Sequence, residues 1–163
     1  MDTDDLVVEL VETLDRDLEL LAALRYRMVV LGALASADQS EFITLAVQEV
    51  ERAYEALRLA DLVRAATTEQ LAEELDLKSM PRIDQIAALT HPGWTDVLLE
   101  RRKELLEVIS AIQSLSHTIS EALGRRVALA EEALAFLRTD KSGTYGAYGR
   151  PAARWGVLVE GAI

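Results

Sequence analysis

From Trp94 to Leu137 the chain reads WTDVLLERRKELLEVISAIQSLSHTISEALGRRVALAEEALAFL, with no proline and a single glycine, Gly124. Leu98, Leu105, Ile109, Ile112, Ile119 and Leu123 fall on one stripe, with Arg102 and Ser116 as its polar interruptions. Alternating steps of three and four place such residues on one face of an α-helix, so the spacing predicts one long amphipathic helix. After Leu123 the stripe resumes as Val127, Ala130, Leu134 and Leu137. The two successive four-residue steps from Ile119 to Leu123 to Val127 break the heptad phase in the manner of a stutter. At ~1.5 Å per residue this helix would be on the order of 65 Å long, more than the diameter of a compact domain. Part of it is therefore expected to project. Its last turns, 128–130 and 133–137, are apolar around much of their circumference and need a cover. Three candidates present themselves: another copy of the chain, which would make a homo-oligomer, the chain's own tail, or a client protein.

Upstream of this stretch the sequence supplies the rest of a bundle. A first helix is expected from about Asp4 to Ala35, with Val7, Val11, Leu14, Leu18, Leu21, Met28 and Ala35 as its stripe, interrupted at Arg25 and Gly32. Asp38 and Glu41, three residues apart, form the pattern of a capping box that opens a second helix, Gln39 to Ala65. That helix carries Ile43, Ala46, Val50, Ala53, Leu57 and Ala60, and the short turn makes the two helices antiparallel neighbours. A second capping pattern, Thr67 with Gln70, is expected to open a short helix over Leu71–Leu75. Pro81 suits the first turn of another, Ile83 to Leu89, and His91-Pro92-Gly93 punctuates before the long helix. The expected fold is all-α: an elongated antiparallel bundle or coiled coil of three long helices, a short-helix crossover and an irregular C-terminal tail. Residues 1–140 form the bundle domain and 141–163 the tail.

Composition narrows the function classes. The 163 residues are half hydrophobic but only 5% aromatic, which is the composition of Leu/Ala-rich helical bundles. There is no cysteine, hence no disulfide and no thiolate metal site, in keeping with a reducing compartment. The most apolar run, 28–35, falls well short of the ~20 residues that span a bilayer, so no membrane insertion is expected. The N-terminus, with Asp2, Asp4 and Asp5, is not that of a signal peptide. Net charge is −11, and a surface of that sign repels a phosphate backbone. The segment Thr68–Leu77 and the helix after it imitate a helix-turn-helix, but Lys78 and Arg82 are outnumbered by Glu69, Glu73, Glu74, Asp76 and Asp84. Base readout needs the opposite balance, so a nucleic-acid partner is not expected. The acids Asp2, Asp4, Asp5, Glu9, Glu12, Asp15, Asp17 and Glu19 crowd the first helix, whereas the tail is mildly basic through Arg138, Lys141, Arg150 and Arg154.

No catalytic constellation emerges. His91 and His117 are the only histidines, and neither has the convergent partners of a metal or acid–base site. His117 with Glu121 is an ordinary i, i+4 helix-surface pair. Gly143, Gly146 and Gly149 recur every three residues, but no strand precedes them and no Gly-Lys-Ser/Thr follows, so they are no phosphate loop. Neither an enzyme nor a cofactor is expected.

The tail motif, Tyr145-Gly146-Ala147-Tyr148-Gly149-Arg150, stands directly behind the amphipathic end Glu131–Leu137. In this order the chain resembles the FlgN-type flagellar export chaperones: long helix, turn, long helix, crossover, longest helix, then a Tyr-Gly-x-x-Gly tail. Tyr148 departs from the polar residue usual before the second glycine. The resemblance implies a cytoplasmic chaperone of the hook-associated proteins that join hook to filament, one that holds a client's terminal helix, prevents premature assembly and delivers it to the type III export gate. It implies that Leu123, Val127, Ala130, Leu134 and Leu137 face the client. It also implies that Tyr145 docks on the gate, with Gly146 and Gly149 lending the tail freedom. The alternatives are a generic helical scaffold or adaptor and, against the charge, a helix-turn-helix regulator. The end of the chain, Trp155–Ile163, is more apolar than a free tail should be and is expected to pack into the bundle's own groove or a partner copy's.

Overall fold

A computed structural model describes residues 2–37, 39–77 and 81–139, with side chains to 135. All regular structure among them is helical: α1 (Thr3–Ser36), α2 (Ser40–Glu74), the five-residue α3 (Ile83–Ala87) and α4 (Pro92–Thr139). α1 starts behind Asp2, whose backbone N–H donates to Asp5 Oδ2 at 3.2 Å, and its first turn carries Asp4 and Asp5 against the positive end of the helix dipole. Gln39 stands at the N-cap of α2 without a side-chain cap hydrogen bond; the expected cap, Asp38, lies outside the described residues. α4 opens with Pro92 in its first turn, where no N–H is needed, and His91 Nδ1 accepts the Gly93 N–H at 3.2 Å.

Two expectations fail here. The pattern Thr67/Gln70 does not open a helix, because α2 runs without a break to Glu74. Ile43, Ala46, Val50, Ala53, Leu57 and Ala60 continue in the same three-four rhythm through Arg64, Thr67 and Leu71. Packing along that row outweighs a local cap signal. Thr67 is buried in mid-helix, its Oγ1 within reach of the Val63 carbonyl at 3.3 Å and of Glu9 Oε1 on α1 at 3.2 Å. The crossover therefore contains one short helix, α3, and α3 is shorter than expected. The second failure is the register of α1. Its buried row is Val7, Leu10, Leu14, Asp17, Leu21, Leu24, Met28, Leu31 and Ala35, in unbroken steps of three and four. Val11 and Leu18 sit only half-buried beside it. The expected and observed rows share every seventh residue; between them Leu10 and Val11 are both apolar and Leu18 outranks Asp17, whereas Leu24 and Leu31 fit better than the interruptions Arg25 and Gly32 and marked the true row.

Cross-helix pairs set directions. Glu9 meets Thr67, Asp17 meets Arg64 and Arg27 meets Glu49, so α2 runs antiparallel to α1. Asp15 meets Arg101 and Gly32 meets Ile119, so α4 runs parallel to α1. α1 is the central strut, packed closely by both α2 and α4, which do not pack closely on each other. Two apolar clusters fill the bundle. One joins Leu6, Val7, Leu10, Leu14 and Leu21 to Leu71, α3 and Leu98 with Leu105; the other joins Leu24, Met28 and Leu31 to Ala46, Val50, Ala53 and Ile119. Small residues allow the second cluster to close: a Cβ on Gly32 would stand 3.3 Å from Ile119 Cγ1.

Candidate functional site

The parallel register of α1 and α4 decides where the bundle stops. Asp15 and Arg101 are 86 residues apart, and Gly32 and Ile119 keep nearly that offset. Carried to the end of α1 at Ser36, it reaches Ala122 or Leu123. α4 has nothing of α1 beside it from there on, yet it continues to Thr139. Sixteen residues, 124–139, thus extend past the bundle, on the order of 24 Å of helix. Burial follows the same boundary: Ile119 is buried, Leu123 is half-buried against the second cluster, and Val127 and Leu134 are 58% and 52% exposed. Ala130 is exposed between them. The phase break at Ile119–Leu123–Val127 coincides with the bundle's end. Five residues were expected to share this face; Leu123, Val127, Ala130 and Leu134 do so by spacing, and Leu137 follows on α4 with a side chain outside the described residues. Leu129, 65% exposed, adds apolar surface on the neighbouring side that the stripe alone does not include.

Such a face on a helix that leaves its bundle offers ridges of side chains to one more amphipathic helix. It offers no chemistry. Among the described residues no group of three or more His, Cys, Asp or Glu side chains could hold a metal ion. His91 serves as a helix cap, and His117 lies 3.4 Å from Glu121 on an exposed face.

The sequence profile of the FlgN protein family matches residues 1–153, nearly the whole chain. The chain belongs to the FlgN family. FlgN proteins are flagellar export chaperones, which is the character the helical order and the tail motif suggested. Neither the curated proteins nor the solved structures contain a match. The FlgN match extends through Tyr145, Gly146 and Gly149, which lie outside the described residues, and stops before Trp155.

Within this FlgN bundle the segment that imitates a helix-turn-helix is no such motif. Thr68–Glu74 is the end of α2, and α3 turns Ile83, Ile86 and Ala87 into the core. No described helix is long and apolar enough to cross a membrane.

Sequence periodicity also missed a polar element of the body. Asp17 and Arg64 occupy core positions of the α1 and α2 rows, and Arg64 Nε lies 3.1 Å from Asp17 Oδ2. Arg64 also pairs with Asp61 one turn away. Asp17 Oδ1 is buried without a hydrogen bond. Burial pushes the Asp17 carboxyl up to about 6, against the opposing pull of Arg64. A second cross-helix pair, Arg101 with Asp15 at 2.5 Å, ties α4 to α1 nearby, and the Asp15 carboxylate raises the Arg101 guanidinium further. These pairs fix register in the middle of the bundle, at a distance from the overhang. A further exposed apolar row, Leu45, Leu59, Leu62 and Val63, lies on the outer side of α2, off the heptad positions that a core search follows.

Proposed function

We propose that this FlgN chain is a cytoplasmic export chaperone that seats the amphipathic terminal helix of a hook-associated protein along the α4 overhang, keeps it from assembling early and presents it to the export gate through Tyr145. The observation that carries the proposal is the coincidence of three boundaries at Leu123: the end of α1's register, the phase break and the onset of exposed apolar side chains. A helix that were only core would end with its partners. The overhang instead keeps Val127, Ala130 and Leu134 in register over two more turns, the spacing by which a helix anchors in a groove. Family membership supports a flagellar client, and the tail motif Tyr145-Gly146-Ala147-Tyr148-Gly149 supports a second contact beyond it.

The test is a pull-down with the C-terminal region of a hook-associated protein. Leu134→Asp should weaken capture at least about 30-fold, the effect of losing a central anchor of ~2 kcal/mol. It should leave the fold intact, since its side chain touches solvent. Leu62→Asp on the outer row of α2 is the control. If Leu62→Asp abolishes capture and Leu134→Asp does not, the client sits on α2 and the overhang reading is wrong. Tyr145→Ala should keep client binding and lose binding to the purified export-gate protein.

A further inference from the structure

The overhang is apolar, unpartnered in the described structure and followed in sequence by 24 residues, 140–163. The last of these, Trp155-Gly156-Val157-Leu158-Val159-Glu160-Gly161-Ala162-Ile163, carry one charge in nine positions. They also lie beyond the part of the chain that the family profile matches, which stops at 153. The tail motif lies within the family match; this apolar end lies outside it.

We infer that Trp155–Ile163 docks intramolecularly on the Leu123–Val127–Ala130–Leu134 face and is the occupant that a client must displace. The segment has the chemistry the face lacks a partner for. Trp155, Leu158, Val159 and Ala162 are spaced at 0, 3, 4 and 7, the pattern that puts apolar groups on one side of a helical segment and lets them lie in a helical groove. A tryptophan at one end is the kind of anchor that dominates small interfaces. Left in water, so apolar a segment would seek a surface, and the overhang begins only a short way from its attachment point.

The tether is long enough. Residues 140–154 stand between the end of α4 and Trp155. Fully extended they could span about 50 Å; as a flexible chain they average roughly 20 Å end to end. From Thr139 back to Ala130 is about 14 Å along the helix. The segment therefore meets the face at an effective concentration on the order of millimolar, well above what a second copy in dilute solution presents. This favours the chain's own end over a partner copy. A face occupied in this way binds a client more weakly by the reciprocal of its unoccupied fraction, so removing the segment should tighten the client, and only that consequence rests on the proposed function above.

The absence of cysteine makes the docking directly measurable. In the full chain, Val127→Cys combined with Leu158→Cys should form an intramolecular disulfide under mild oxidation, at a rate independent of protein concentration. Glu19→Cys with Leu158→Cys is the control, because Glu19 is an exposed position on the bundle body, far from the overhang. Cross-linking of the Val127 pair no faster than the control, or only between two molecules, overturns the inference. Leu134→Asp in the Val127 pair should slow the reaction at least tenfold. Ala130→Cys in place of Val127→Cys gives the same reading if one substitution disturbs the helix. Deleting 154–163 should tighten binding of the hook-associated C-terminal region about tenfold, if the segment's own affinity lies tenfold below its effective concentration. Unchanged client affinity alongside rapid intramolecular cross-linking overturns the competition and leaves the docking; loss of all client capture by every variant instead strikes the client reading.

Discussion

The two halves of α4 keep the same three-four spacing of apolar residues, yet only one half is core. Up to Ile119 its stripe meets α1, α3 and the Ala-rich face of α2, and Leu98 and Leu105 are fully buried. After Leu123 the same kind of stripe faces solvent. A heptad pattern states that a helix has an apolar face; it does not state that the partner is in the same molecule. What separates the halves is the length of α1. Core residues sit where a neighbour exists, and an exposed apolar face begins where the neighbour ends.

Substitutions should widen that contrast, and the largest effect belongs to the polar pair within the body. Arg64→Met leaves Asp17 buried beside no cation and should cost about 3–5 kcal/mol at pH 7, read from urea unfolding. Replacing both members, Asp17→Leu with Arg64→Leu, should instead leave stability unchanged or raise it by ~1–4 kcal/mol. A double variant as unstable as the single one would show that the pair contributes net stability rather than register. Next, Leu98→Ala in the buried half should lose about 2–5 kcal/mol. Leu134→Ala on the overhang, the same chemical change on the same helix, should lose no more than about 1.4 kcal/mol, the stability that a segment docked tenfold over its dissociation constant adds. Comparable losses at the two sites would mean that the overhang is packed as firmly as the core.

A subtler difference lies in pH. Asp17 binds its proton more tightly in the folded chain, with a pKa of about 6 against an ordinary 3.8. Its charged form therefore penalises folding fully above about pH 6. The penalty fades as pH falls through that value and is gone below the ordinary 3.8. From this group the fold gains stability between pH 7 and pH 5, opposite to the usual carboxylate. Asp17→Asn should remove that gain, so the urea midpoints of variant and parent should run with different slopes across this range. Parallel slopes would contradict the assignment.

Much of this was legible before any coordinates. The helical class, the antiparallel order, the core rows of α2 and α4 and the phase break at Leu123 all follow from residues spaced by three and four. The α1 row was not, because Val11 is as apolar as Leu10 and Leu18 more so than the buried Asp17; Leu24 and Leu31, in place of Arg25 and Gly32, were the signal that could have found it. Thr67 misled because a capping pattern reads four residues while the row it belongs to runs from Ile43 to Leu71. Asp17, Arg64 and Thr67 are invisible to any search for apolar positions. Of the site, the stripe was readable and its exposure was not: that depended on the offset between α1 and α4, a distance in sequence that only the paired helices reveal.

Because α4 runs parallel to α1, the acid-rich start of α1, with Asp2, Asp4 and Asp5, lies at the end of the molecule opposite the overhang, while Arg138, Lys141, Arg150 and Arg154 follow in sequence from the overhang's tip. The acid-rich start of α1 is thus a negative pole at the end away from the overhang. Within a Debye length, ~8 Å at physiological salt, an anionic surface repels that pole. Beside such a surface the protein is turned with the start of α1 outward, oriented before any specific contact is made.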